Sequence, residues 1–252
     1  MRTYVVTGSA SGIGAATRQR LESGGHRVIG VDLREADIEV DLATVDGRAR
    51  LAHAVARAAA DGVDAVIACA GIAADHPDTI SVNFFGAVAT LEGLRPLLSA
   101  RPEPRVVVVG SVASILGSDE ATVDACLAGD EGAARAAAGA APGLAYLSSK
   151  TAICRWVRRT ATTEEWAGAG ITLNAVAPGT VTTPMTAPLL ATEGGTALVD
   201  GAVPMPLDGH AAPEDVASLI DYLAGADNTQ VTGQVVFVDG GADAVLRGDS
   251  TW

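Results

Sequence analysis

The sequence predicts an α/β fold, a single domain built on a doubly wound parallel sheet. Three observations carry that prediction. Short β-branched runs alternate with helical stretches from Thr3 to Val238. Such alternation yields parallel strands with helices on both faces. Arg105 to Val109 (RVVVV) is almost wholly apolar, as a strand buried on both faces must be. Finally, Gly8, Asp32, Gly71, Ser111 and Pro178 each fall just past such a run. The fold would gather them at the carboxyl edge of the sheet, where open α/β sheets bind ligands.

In chain order, Thr3–Thr7 (TYVVT) reads as the first strand, followed by Gly8-Ser9-Ala10-Ser11-Gly12-Ile13-Gly14 and a helix from Ala15 to about Ser23. Gly24-Gly25 stops that helix. Strand, glycine turn and helix form the setting of a dinucleotide fingerprint. The spacing is G-x-x-x-G-x-G, but glycines still admit a pyrophosphate to backbone N–H groups at a helix N-terminus. Arg27–Val31 is the second strand and ends in Asp32, 18 residues past Gly14, near the place of an acid that accepts ribose hydroxyls. Leu33 follows, and the glycine turn holds no cation, so NAD is expected rather than NADP; Arg34 is the one nearby complication. Ile38–Asp41 is a short third strand, with Asp41-Leu42 placed to border an adenine.

A helix over 44–61 and a strand over 63–69 follow, the strand ending at Ala70-Gly71. The next helix, about 77–100, carries Asn83 in mid-run. Asparagine is unfavourable there, so a kink or a bound water is expected. Arg105–Val109 is the central strand, closed by Gly110-Ser111. Residues 118–142 are acidic and alanine-rich, and are expected to form one or two short surface helices. A long helix over 144–167 holds Tyr146. Ile171–Ala177 is a strand that leads into Pro178-Gly179-Thr180-Val181-Thr182-Thr183. Residues 185–211 are apolar yet broken by proline and glycine. A helix over 213–223 and a strand over 234–238 close the fold, and the tail from Asp243 carries no assignment.

Composition excludes several functions. Seventeen basic residues against 30 acidic ones leave a net charge of −13, spread along the chain, which a phosphate backbone would repel. The three cysteines have neither metal nor disulfide spacing and read as reduced thiols. No apolar run approaches the ~20 residues of a membrane helix. The sequence enters its first strand at Thr3 without an apolar leader, so a cytoplasmic location is expected. His26, His53, His76 and His210 are scattered, and no metal site is expected.

Tyr146 and Lys150 stand four residues apart, on one face of a helix. A free phenol titrates near pH ~10, and a neighbouring cation favours the phenolate. Lys150 would thus fit Tyr146 for acid–base work near neutrality. Sixteen of the 17 basic residues are arginine and Lys150 is the only lysine, as though a compact ammonium were required here alone.

Thr7-Gly8-x-x-x-Gly12-Ile13-Gly14, Asp32, Asp41-Leu42, Ala70-Gly71, Asn83, Ser111, Tyr146-x-x-x-Lys150 and Pro178-Gly179-x-Val181-x-Thr183 together resemble the short-chain dehydrogenase/reductase family, essentially end to end. The resemblance implies a Rossmann-type sheet of about seven strands and an NAD cofactor. Gly8, Ser11, Gly12, Ile13, Gly14, Asp32, Leu33, Asp41, Leu42, Ala70, Gly71, Pro178, Gly179, Val181 and Thr183 would hold it, with Tyr146 and Lys150. It implies Tyr146 as acid and base, Lys150 as its tuner and as the ligand of the nicotinamide ribose, Ser111 as donor to the substrate oxygen, and Asn83 as the holder of a water beside Lys150. It implies a secondary alcohol or ketone substrate on a steroid-like, alicyclic or aromatic frame, with 185–211 as an apolar lid. Relatives commonly form tetramers; 118–142 should block one interface and leave a homodimer joined near 213–240.

The chain departs from the family pattern at Cys69, where an asparagine is usual, at Gly110, where a serine is usual, and in the long separation of Ser111 from Tyr146, which stand 35 positions apart. The backbone turn at Cys69 should survive. Two other classes remain open. A non-catalytic dinucleotide sensor would tolerate loss of Tyr146 or Lys150, and both are present. A hydrolase elbow, G-x-S-x-G, fails at Ser114.

Overall fold

β-Branched runs become strands where both faces can be buried. In a computed structural model that describes residues 1–207 and 209–250, these strands are β1 Thr3–Thr7, β2 Arg27–Asp32, β3 Ile38–Glu39, β4 Ala65–Ala68, β5 Arg105–Val109, β6 Thr172–Pro178 and β7 Val235–Val238. They form one sheet in the order β3-β2-β1-β4-β5-β6-β7, with every neighbouring pair parallel. The third strand stops at Glu39, two residues short of expectation; Val40 still donates to the Asp32 carbonyl at 2.9 Å.

Alternate residues of each strand serve two cores. Val106 and Val108 join Leu51 and Val55 of α2 (Val45–Ala58), Leu91, Leu94 and Leu98 of α4 (Ala87–Ser99), and Ile153 and Val157 of α7 (Ala145–Thr160). Val107 and Val109 join Leu21 of α1 (Gly12–Ser23) and Val216, Ile220 and Leu223 of α10 (Pro213–Ala224). All of these residues are buried, which is the helix-on-both-faces arrangement expected of parallel strands. The strand order reverses at β1 and β4, so a crevice opens at their carboxyl ends.

Three stretches differ from the sequence reading. The helix expected over 77–100 is α3 (Asp78–Ile80), a π-turn (Ser81–Gly86) and α4. The π-turn re-aims Asn83, the residue expected to distort this helix. The long helix over 144–167 ends at Thr160, and a second π-turn, Glu164–Gly168, replaces its last part. Burial overrides helical propensity there: Trp166 is buried and meets Trp156 edge-on with centroids 5.9 Å apart. The unassigned tail forms α11 (Ala242–Arg247), while Thr251 and Trp252 lie outside the described residues.

Residues 118–142 are ordered as α5 (Glu120–Leu127) and α6 (Glu131–Ala140). Asp119 and Asp130 cap them, accepting from the Thr122 N–H at 2.8 Å and the Ala133 N–H at 2.9 Å. Within 185–211, of which Asp208 lies outside the described residues, the chain forms α8 (Ala187–Leu190) and α9 (Glu193–Ala202).

Candidate active site

Gly8 and Gly14 open the cleft by what they lack. Gly8 has φ +70°, and a Cβ there would come within 2.9 Å of the Ala70 backbone. A Cβ on Gly14 would lie 2.0 Å from the Gly8 carbonyl oxygen. Only glycine lets α1 start this close to the end of β1, which leaves the backbone N–H groups of its first turn exposed to a ligand. The Thr7 hydroxyl accepts from the Cys69 and Ala70 N–H groups, each at 3.1 Å, and ties the ends of β1 and β4 together. The turn at Cys69 therefore survives without an asparagine side chain.

A cleft of about 230 Å³ runs along this edge. Every sequence-predicted site residue lines it except Asn83, which stands just behind Gly71 and Ile72. At one end Asp32 accepts from Ala10 N–H of the glycine turn at 2.9 Å with one carboxylate oxygen and from Leu33 N–H at 2.7 Å with the other, and each oxygen keeps a lone pair to spare. Arg18, the nearest basic side chain in the first helix, is paired with Glu22 at 2.9 Å and Asp37 at 3.2 Å.

At the other end stand Ser111, Tyr146 and Lys150. Lys150 is 5% exposed, and its ammonium donates to the Val109 carbonyl at 2.8 Å, 5.7 Å from the centre of the Tyr146 ring. Among the described residues no carboxylate pairs with it. A buried, unpaired ammonium is costly and marks a site of function more often than of stability. The Ser111 oxygen accepts from Ala113 N–H at 3.1 Å, which leaves its own proton free to donate toward the cleft.

Asn83 is fixed by its own side chain. Its amide closes a two-way bond with Ile72, accepting from the N–H at 2.8 Å and donating to the carbonyl at 2.9 Å, and donates to Ser149 at 3.1 Å. Ser149 in turn donates to the Tyr146 carbonyl at 2.7 Å. The side chain is thus spent on fixing the loop after β4 and the first turn of α7.

Sequence reasoning left Val31, Val40, Ile72, Val82, Val109 and Pro184 out of the site although they line the cleft, and Met185 and Thr186, from the stretch expected as a lid, line it too. Ile72 could have been found from its place directly after Ala70-Gly71. Thr186 closes the turn after β6 by donating to the Val181 carbonyl at 2.5 Å. Cys69 lines the cleft as well; burial pushes its thiol up to about 12, so it is not a nucleophile at neutral pH. Among the described residues no group of three His, Cys, Asp or Glu side chains is placed to hold a metal ion, and no helix is long and apolar enough to cross a membrane.

Residues 2–124 match the short chain dehydrogenase family, and residues 132–243 match a family described as enoyl-(acyl carrier protein) reductase. The chain is 37% identical over 256 residues to the 3-alpha-hydroxysteroid dehydrogenase/carbonyl reductase of Comamonas testosteroni, covering 98% of each. The chain belongs to the short-chain dehydrogenase family. A second member, the cis-4-hydroxycyclohexanecarboxylate dehydrogenase of Sinomonas cyclohexanicum, is 32% identical over 270 residues and 97% of each chain. Among solved members, the 3-alpha-hydroxysteroid dehydrogenase from Pseudomonas sp. B-0831, in complex with NADH, superposes with a TM-score of 0.90 at 40% identity over 98% of this chain and 99% of that one. The family-resemblance expectation holds, and with it the seven-stranded sheet. The protein is an oxidoreductase of this family, close to the hydroxysteroid dehydrogenase/carbonyl reductases. The two family matches leave 125–131 uncovered, from the last turn of α5 to the first residue of α6.

Proposed function

We propose that the protein interconverts a secondary alcohol and a ketone on a steroid-like, alicyclic or aromatic frame, with NAD(H). The carrying observation is the cleft itself, which has an unsaturated carboxylate at one end and a buried lysine beside a phenol at the other. The residues fit a dinucleotide. Gly8, Gly12 and Gly14 leave room for a pyrophosphate against backbone N–H groups, and Asp32 has lone pairs for the adenine ribose hydroxyls. Pro178, Gly179, Val181 and Thr183 wall the far side. The dinucleotide, when bound, supplies or accepts the hydride. Preference for NAD follows from Asp32, whose charge would repel a 2′-phosphate, and from Arg18, already neutralised by two carboxylates. The NADH complex of the similar Pseudomonas enzyme supports the same reading.

The chain's own groups handle the proton. Tyr146 gives its phenolic proton to the ketone oxygen in reduction and takes one from the alcohol in oxidation. The Lys150 charge stabilises the phenolate that reduction leaves behind, and the Ser111 hydroxyl donates to the oxygen on which charge gathers. Asn83 and Ser149 hold the helix turn that aims Tyr146.

Residues 185–211 act as the substrate lid. None of the residues of α8 and α9 is buried; Met185 lines the cleft and is 44% exposed, and Leu189 and Leu198 in the helices that follow it are 49% and 70% exposed. An apolar substrate would cover that surface on closure. The reduced, unpaired thiols of Cys69, Cys126 and Cys154 fit a reducing cytoplasmic compartment. A homodimer is the proposed assembly. The test of the substrate reading is NADH oxidation with a panel of ketones. Steroid and alicyclic ketones should turn over. Small keto acids should be poor, since no arginine or lysine lies between 160 and 246 to bind a carboxylate; efficient turnover of such an acid and none of the apolar ketones would overturn it.

A further inference from the structure

Arg48 is a buried cation that plays no part in the chemistry above. Its side chain is 9% exposed, and its partners come from three separate stretches of chain. Nε donates to the Leu42 carbonyl at 2.7 Å. Nη2 donates to the Ser81 carbonyl at 2.8 Å and the Ala43 carbonyl at 3.3 Å. Nη1 and Nη2 together grip the Glu131 carboxylate at 2.6 and 2.8 Å.

Each partner bears on the cleft in a different way. Leu42 lines it, on the side of Asp32. Ser81 opens the π-turn that aims Asn83, and that turn abuts Leu42: a Cβ on Gly86 would stand 3.0 Å from the Leu42 Cβ. Glu131 is the first residue of α6, where a carboxylate also suits the helix N-terminus. The same helix grips the turn once more, as Arg135 donates to the Ser81 hydroxyl at 2.6 Å and the Asp78 carboxylate at 2.7 Å. Without Glu131, Arg48 would face only carbonyl oxygens, a poor setting for a buried charge. The two-pronged ion pair is what holds the guanidinium in its fork geometry.

We propose that the Arg48–Glu131 pair is a positioning device for the adenine end of the cleft, by which α6 sets the affinity for the dinucleotide. The inference rests on the reading of this cleft as a dinucleotide site. Loss of the Glu131 charge loosens Arg48, then the Leu42 wall, while Tyr146, Lys150 and Ser111 keep their places at the other end.

The test is Glu131→Gln, which keeps the shape and removes the charge. NADH and ADP-ribose, the second being the adenine half alone, are titrated by calorimetry, and steady-state kinetics are run on the same preparations. Both dissociation constants should rise by at least about 3-fold, the scale of losing a charge-assisted bond. The KM for NAD should rise with them, while kcat and the KM for the alcohol stay within about 2-fold of wild type. Glu131→Asp, which keeps the charge with a shorter reach, should fall between the two and carries the test if Glu131→Gln does not fold. Unchanged affinity for both ligands, with only a lower melting temperature, would make the pair a structural brace and overturn the proposal. A wild-type protein that binds neither ligand would instead overturn the dinucleotide reading, and the proposal with it.

Discussion

At the scale of single residues, the account places selectivity on Asp32 and acid stability on Glu131. Wild type should prefer NAD over NADP by at least about 100-fold in kcat/KM, about 2.7 kcal/mol, and Asp32→Ala should narrow that gap. Equal use of both cofactors by wild type would mean that the exposed Arg34 compensates for Asp32. Hydrogen bonds from Arg48 hold the Glu131 carboxyl below its ordinary value of 4.5. Because the folded value is the lower one, the pair's stabilisation is full above pH 4.5 and is lost as pH falls through the folded value. Melting curves should therefore separate wild type from Glu131→Gln most at neutral pH, with the gap closing below 4.5; a gap that widens in acid contradicts this assignment. The positions of Gly8, Asp32, Ser111, Tyr146 and Lys150 around one cleft were legible because glycine spacing, strand ends and a four-residue helical step are local signals. The Asn83–Ile72 pair was not legible. A side-chain amide that saturates a backbone unit 11 residues away leaves no periodicity in the sequence.

At the scale of elements, burial decided what the sequence disclosed. The central strands announced themselves because both faces are apolar. The π-turn at Ser81–Gly86 was foreseen only as an anomaly at Asn83, since the extra residue in the turn answers to contacts with the loop after β4 rather than to propensity. The end of α7 was missed because Trp166 is drawn under the sheet, a tertiary demand that outweighs the helical pattern of 161–167. α8 and α9 were not separated in the sequence, where proline and glycine break up 185–211, and neither buries a residue. That exposure gives the lid its own prediction. Leu189→Asp should raise the KM for a steroid or alicyclic ketone by about 10-fold or more, the scale of losing one buried leucine contact, with little change in the Kd for NADH. An unchanged KM would remove α8 from the substrate path.

At the scale of the whole molecule, alternation of strands and helices was enough to read the sheet, because parallel strands require crossover helices and leave few topologies. Assembly is less directly encoded. α5 packs on α7, and α6 packs on the π-turn, so 118–142 covers the surface that a helix-pair interface would use. Along β7, by contrast, all four residues are only half buried, and Tyr222, Val245 and Leu246 are exposed nearby. Sedimentation should find a homodimer, and removal of 118–142 should promote higher association; a wild-type species near four times the 25.3 kDa chain mass would contradict that. The most direct test of the account as a whole is NADH oxidation with a steroid or alicyclic ketone, measured for wild type and for Tyr146→Phe, which keeps the ring and removes the proton. Wild type should turn over, and the variant should bind NADH as before but lose at least about 10²-fold in kcat. Near-normal turnover by Tyr146→Phe would mean that another group delivers the proton, and would contradict the assignment at the centre of this cleft.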